Sequence, residues 1–198
     1  MQMDPLVQSD GHIVEEVRAG NIRKYALLVE RHKDRAMTLA CRFVGVREEA
    51  EELVQDAFLR AFKSLHQFRG DAKFSTWFYR ILYNLCMSKL TRRKPKVEFL
   101  DVLDDRMMDD VLVDEEDLSA LERLEELELE NLLAEEIQKL PEKFKSAITL
   151  FYVQHMSYEE MSEVLDLPLG TVKTNLFRGR ILLKQRVMQK IGEEIKSA

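Results

Sequence analysis

Residues 157–180 read SYEEMSEVLDLPLGTVKTNLFRGR, and this stretch decides the fold of the C-terminal third. Ser157 followed three residues later by Glu160 is a capping box, in which the hydroxyl caps the first turn and the carboxylate reaches back to the serine amide. Met161, Val164 and Leu165 follow at helical spacing, and Asp166-Leu167-Pro168-Leu169-Gly170 breaks the pattern. A second helix starts at Thr171 or its neighbours, with Val172, Leu176 and Ile181 inward. Two helices joined by so short a turn must cross steeply, which predicts a helix-turn-helix. The outward face of the second helix carries Lys173, Thr174, Asn175, Phe177, Arg178, Arg180 and Lys184, with no acid from Thr171 to Ile191. Such donors, with a methyl-bearing hydroxyl, suit the base edges and phosphates of a major groove. An ordinary solvated basic face has the same composition.

Upstream, almost every segment predicts helix. Asp10 can cap a short one with Ile13, Val14 and Val17 inward, closed by Gly20. Asn21 can cap a longer one that Gly45 ends. The third is the most regular, with Ala50, Leu53, Val54, Ala57, Phe58, Ala61, Phe62 and Leu65 repeating at three and four residues. After a turn at residues 66–74, Ser75 or Thr76 can cap a fourth helix with Trp77, Phe78, Ile81, Leu82 and Leu85 inward. It ends in Lys89, Arg92, Arg93 and Lys94 before Pro95, and cations there suit the macrodipole. Four such helices predict a bundle. Phe68, Arg69, Lys73, Phe74, Arg80, Asn84, Lys89, Arg92 and Arg93 interleave rings and cations. That mixture suits single-stranded DNA, whose bases stack and whose phosphates need countercharge. Trp77, Phe78 and Leu82 belong to the inward stripe and read as core.

The net charge of −6 is unevenly distributed. Residues 97–136 hold 17 carboxylates against Arg106 and Arg123, so two basic blocks flank one acidic block. The expected organisation is all-α: an N-terminal bundle over 1–96, an acidic linker over 97–136 and a helix-turn-helix domain over 137–198. Helical spacing returns from Leu118 to Leu140, and Pro141 suits a first helical position. No apolar run approaches the roughly 20 residues of a membrane span, and the N-terminus lacks a secretory pattern. A cytoplasmic protein is expected. Cys41 and Cys86 lie far apart with no CxxC, which predicts two reduced thiols and no structural metal. No nucleophile, paired-carboxylate or Gly-rich phosphate motif suggests catalysis or a cofactor, so neither is expected. His12, His32, His66 and His155 are scattered.

Three stretches together resemble the extracytoplasmic-function (ECF) branch of the sigma factors of bacterial RNA polymerase. They are residues 49–58 (EAEELVQDAF), 68–84 (FRGDAKFSTWFYRILYN), and the set Leu140-Pro-Glu-Lys-Phe144, Ser157–Glu160 and Gly170–Arg180. The resemblance implies a protein that joins core polymerase and directs promoter-specific initiation, in a stress or envelope response and under an anti-sigma factor. It implies that Glu52, Leu53, Gln55, Asp56 and Phe58 grip the polymerase clamp, although Leu53 and Phe58 also lie on the core stripe. It implies that the Phe68–Phe74 loop and Asn84 capture an unstacked base of the minus-10 element. Thr171, Lys173, Thr174, Phe177 and Arg178 fall where the family reads the minus-35 duplex. Asn175 stands where relatives commonly carry a basic residue. The acidic linker, by the same resemblance, threads the polymerase's positively charged channels, or is a solubilising spacer. Two other readings fit the bare residues. A stand-alone helix-turn-helix regulator would shift duplex DNA without polymerase, and a helical adaptor working through Leu118–Leu140 would show no sequence-dependent DNA contact.

Overall fold

The computed structural model describes residues 8–93 and 131–197, with side chains placed through Gly192. Among the described residues every regular element is helical. In the N-terminal half, α1 spans Asp10–Arg18, α2 Tyr25–Val44, α3 Arg47–Ser64 and α4 Phe74–Arg93. In the C-terminal half, α5 covers 131–138, α6 Glu142–Ile148, α7 Tyr158–Leu165 and α8 Leu169–Ser197. The chain therefore adopts the expected all-α architecture in two helical units. Residues 97–130 of the expected acidic linker, and the helical spacing from Leu118 to Leu129, lie outside the described residues.

The N-terminal unit is built around α3. Ala50, Ala57 and Ala61 are fully buried, and so small a stripe lets α2 and α4 approach closely. Phe58 fills the space between the alanines and stacks on Phe78 of α4 at 4.3 Å. Burying one such ring stabilises by about 1.5–3 kcal/mol. Gly45 closes α2 in the left-handed region at φ 74°, where a side chain would be strained. Burial also pushes the Cys86 thiol up to about 12, as suits an inert core thiol.

Several helix starts differ from expectation. Ser9, not Asp10, caps α1, its hydroxyl accepting from the His12 amide at 3.3 Å. Asp10 is thereby freed to pair with Arg31 at 2.9 Å and His32 at 2.7 Å on α2. Asn21 makes no side-chain cap, and a single 3₁₀ turn at Ile22–Lys24 precedes α2. α4 begins at Phe74, and Thr76, expected at its cap, is buried within its first turn. Pro141 precedes α6 instead of opening it.

In the C-terminal unit Phe144 and Ile148 of α6, Met161 and Val164 of α7, and Val172 and Leu176 of α8 share one core. Between α6 and α7 the chain widens into a π-type turn at Thr149–Val153. α6 and α8 meet at Gly179, where an added Cβ would lie 3.1 Å from Ile148 Cγ1 and 3.3 Å from Phe144 Cβ. Glu136, at the end of the expected linker, is buried and pairs with Arg186 of α8 at 2.8 Å. Among the described residues no helix is long and apolar enough to cross a membrane.

Gly179→Leu is expected to destabilise by about 1–3 kcal/mol through overpacking against α6. Gly170, with nothing within 4 Å of its Cβ position, should tolerate the same change better. Thermal unfolding of the two variants checks this, and equal losses would contradict the close approach.

Candidate nucleic-acid interface

The helix-turn-helix forms from its local signals. The Ser157 hydroxyl accepts from the Glu160 amide at 3.2 Å, and Glu160 Oε2 accepts from the Ser157 amide at 2.9 Å. α7 then stops at Asp166, which adopts the left-handed region at φ 56°. The Ser162 hydroxyl donates to the Leu167 carbonyl at 2.6 Å and fixes the turn into α8.

On α8, Thr171, Lys173, Thr174, Arg180 and Lys184 are exposed, and Phe177 and Arg178 are half-buried. The Thr174 hydroxyl donates to the Gly170 carbonyl at 2.9 Å. Asn175 corrects the reading of an outward residue: it is only 8% exposed, on the Val172–Leu176 side that packs into the core. From there it cannot present its amide to a groove without leaving the core.

An aromatic series behind this face was not singled out from the sequence. Phe151 stacks on Tyr158 at 5.5 Å and meets Tyr152 edge-on at 5.0 Å. Lys173 sits over the Tyr158 ring at 5.5 Å, and Arg180 over Phe151 and Tyr152 at 5.1 and 5.3 Å. Cation–π contact orients both cations while leaving them exposed. The run Leu150-Phe151-Tyr152-Val153 reads as core, and only the widened turn brings two of its rings toward α8.

The N-terminal basic and aromatic set divides into two groups. Phe68 and Phe74, expected to meet a base, are 6% and 2% exposed. Phe68 packs on Trp77 at 5.3 Å, and Phe74 stacks on Phe78 at 6.1 Å, so these rings anchor the loop from within. The exposed group is Arg69, Lys73, Arg80, Asn84, Arg92 and Arg93, with Lys89 half-buried. Lys89 lies 3.8 Å from Glu49, and Arg93 also pairs with Glu49. The loop has a brace that sequence reading missed. The Arg18 guanidinium donates to the carbonyls of Leu65 (2.8 Å), His66 (3.4 Å) and Phe68. An arginine closing a helix suggests only dipole compensation, so nothing in the sequence pointed to this role.

On the outer face of α3, Glu52 and Gln55 are exposed. Asp56 is held by Arg60 at 3.0 Å. Leu53 is half-buried and Phe58 is 7% exposed in the core, so Phe58 offers a partner little surface.

The two units, expected to be separated by the linker, touch along a seam between α4 and α7. Lys73 pairs with Glu160 at 2.8 Å and Arg80 with Asp166 at 3.1 Å. Arg35 and Gln154 exchange hydrogen bonds with each other's carbonyls at 3.2 and 3.1 Å, and the Tyr83 hydroxyl lies 3.3 Å from that of Ser146. Partial burial pushes the Glu160 carboxyl up, but Lys73 and the Ser157 amide outweigh it and hold it below its usual range. Asp10 is likewise raised by burial and lowered further by His32 and Arg31, for a net depression.

A bundle bearing an aromatic and basic helix, joined to a helix-turn-helix with an acid-free outer face, defines a two-unit helical DNA-binding protein. The comparisons narrow the class. The description "Sigma-70 region 2" matches residues 28–95, and "Sigma-70, region 4" matches residues 130–183. The ECF RNA polymerase sigma factor SigW of Bacillus subtilis is 34% identical, over 88% of this chain and 94% of its own length. The ECF RNA polymerase sigma-E factor of Haemophilus influenzae is also 34% identical, over 90% and 95%. The fold of CnrH, solved in complex with the cytosolic domain of CnrY, matches with a TM-score of 0.64 at 24% identity, over 90% of this chain and 96% of that one. The Bartonella quintana sigma factor RpoE, solved with the anti-sigma factor NepR, matches with a TM-score of 0.61 at 19% identity, over 84% and 98%. The chain belongs to the ECF sigma factors of the sigma-70 family. It is accordingly a subunit of promoter-directed transcription initiation.

A carboxyl whose folded value is depressed adds stability that is present above its ordinary value and lost as pH falls through the folded one. The ordinary values are 3.8 for Asp10 and 4.5 for Glu160, so stability should fall progressively below those values. The single tryptophan, Trp77, packs on Phe68 and Phe74 and reports on the loop. Urea unfolding followed by its fluorescence should show a flatter acid limb for Asp10→Asn than for the parent. Arg18→Ala should lower stability by about 1.5–3 kcal/mol, because it removes charge-assisted bonds to three carbonyls of the 65–68 turn. An unchanged midpoint in urea would refute the brace.

Proposed function

We propose that the chain docks on core RNA polymerase through the outer face of α3, with Glu52, Gln55 and Asp56 meeting basic groups of the clamp. The C-terminal unit then reads the minus-35 element as duplex, and the N-terminal unit captures the minus-10 element as single strand. In this reading the domains are 1–96 and a C-terminal unit that begins near residue 131. The observation that carries it is the outer face of α8, free of acids from Thr171 to Ile191, behind a capped α7, on a chain matching both sigma-70 regions.

The chemistry of each contact follows from side-chain type. Arg178 can pair bidentately with a guanine, and the Thr174 methyl can touch a thymine methyl. Lys173, Arg180 and Lys184 supply countercharge to phosphates. On the N-terminal unit, Arg69, Lys73, Arg80 and Asn84 form a cationic and amide-bearing surface over a rigid aromatic base. Extruding a base costs a few kcal/mol, and a preformed surface with countercharge offsets it. The protein works where polymerase works, in the cytoplasm, and an inhibitory anti-sigma partner and a stress or envelope signal fit its family.

Run-off transcription with core polymerase on a promoter library tests the reading. Adding the chain should enable initiation from a defined promoter subset. Arg178→Ala should lower minus-35-dependent use about 5- to 150-fold, the span of one lost bidentate base contact, while polymerase binding persists. Asn84→Ala should shift minus-10 preference. Failure to initiate from any template would overturn the reading, and unchanged preference in both variants would overturn these residue roles.

A further inference from the structure

The C-terminal end of α4 carries a network whose cations read, in the sequence, as DNA contacts. Glu49 sits in the first turn of α3 and Arg93 in the last turn of α4, each at the helix end whose dipole favours its charge. Glu49 Oε1 meets the Arg93 guanidinium and lies 3.8 Å from the Lys89 ammonium. Arg93 also donates at 3.3 Å to the carbonyl of Val44, the last residue of α2, where a helix leaves its carbonyls without helical partners. A single arginine thus joins three helix ends. The Glu49 and Arg93 side chains keep 23% and 39% of their exposure, so salt screens the pair less than a fully exposed one. Glu49 also stands three and seven residues before Glu52 and Asp56, on the face of α3 read as the polymerase dock.

We propose that Glu49 and Arg93, assisted by Lys89, form a tie that sets the angle between the docking helix α3 and the strand-reading helix α4, and that neither cation contacts a phosphate. The tie rests on the reading of α3 as the polymerase dock and α4 as the minus-10 surface. The strand-reading face then ends near Asn84, and the rest of α4, about 13 Å long, is anchorage. A polymerase that holds α3 holds α4 in register through this anchorage. Glu49 and Arg93 are therefore positioning residues, acting on the strand through the helix that presents Arg80 and Asn84.

Glu49→Gln, Arg93→Gln and the double variant form a cycle that isolates the pair. Holoenzyme is assembled from core polymerase and each full-length chain. It is titrated with a labelled single strand of about 12 nucleotides carrying the minus-10 sequence of a promoter the parent uses, between about 0.05 M and about 0.5 M salt. Each lost phosphate contact flattens the slope of log affinity against log salt by about 0.7. Arg93→Gln and Lys89→Gln should leave the slope unchanged, whereas Arg69→Gln, on the exposed part of the loop, should flatten it by that amount. Run-off initiation from the same promoter, at saturating core polymerase, should fall about two- to fivefold in Glu49→Gln, the span of one partly exposed ion pair. Arg93→Gln should lose the same factor, and the double variant no more. A flattened slope in Arg93→Gln or Lys89→Gln would make that residue a DNA contact and overturn the tie. So would additive losses of initiation, or initiation equal to the parent's in both single variants. Urea unfolding of the three cycle variants decides the pairing without DNA: the double should lose no more than the larger single, and additive losses would overturn the tie. An unchanged slope in Arg69→Gln would instead remove the minus-10 reading of this surface, with the urea cycle still deciding the tie.

Discussion

The Glu160 carboxylate divides its oxygens between two partners: one accepts from the Ser157 amide at 2.9 Å, the other from the Lys73 ammonium at 2.8 Å. The first bond starts the helix-turn-helix by satisfying a donor that the first turn would leave orphaned. The second carries that helix onto the opposite unit. Because α7 begins where Glu160 dictates and stops at Asp166, its two ends align with Lys73, the residue just before α4, and Arg80 on α4. Local capping chemistry and the arrangement of the two units thus share the same side chains. A residue doing both jobs couples secondary structure to domain position.

Charge segregation gives the protein its character. Its overall balance is acidic, yet the described surfaces of α4 and α8 are basic. The rings beneath them serve a different purpose. Phe68, Phe74 and Trp77 form an interlocked cluster, braced from the side by Arg18. This cluster fixes the backbone on which Arg69 and Lys73 are displayed. On α8 the equivalent support is the Phe151–Tyr158 stack under Lys173 and Arg180. On α8 the cation–π contacts preorient Lys173 and Arg180, so less of their side-chain entropy is lost when a nucleic acid binds.

The sequence by itself determined the helical class, the capping box, a break after Leu165 and the inward stripes of α7 and α8; the expected α3 stripe holds except at Phe62, which is 36% exposed, and α8 starts at Leu169, inside the expected break. These features follow from periods of three and four residues and from caps, which act over one turn and need no distant partner. Ordered motifs likewise made the family legible before any coordinates. Tertiary structure decided the rest. It turned Asn175 inward, buried Phe68 and Phe74, moved the cap of α1 to Ser9 so that Asp10 could reach Arg31 and His32, and gave Arg18 to the carbonyls of the 65–68 turn. It also joined two units whose intervening charge suggests separation. The Asp10, Arg18 and seam pairings bring together groups 21 to 119 residues apart in the chain at about 3 Å. No local periodicity encodes such a meeting, because it exists only once the helices have packed.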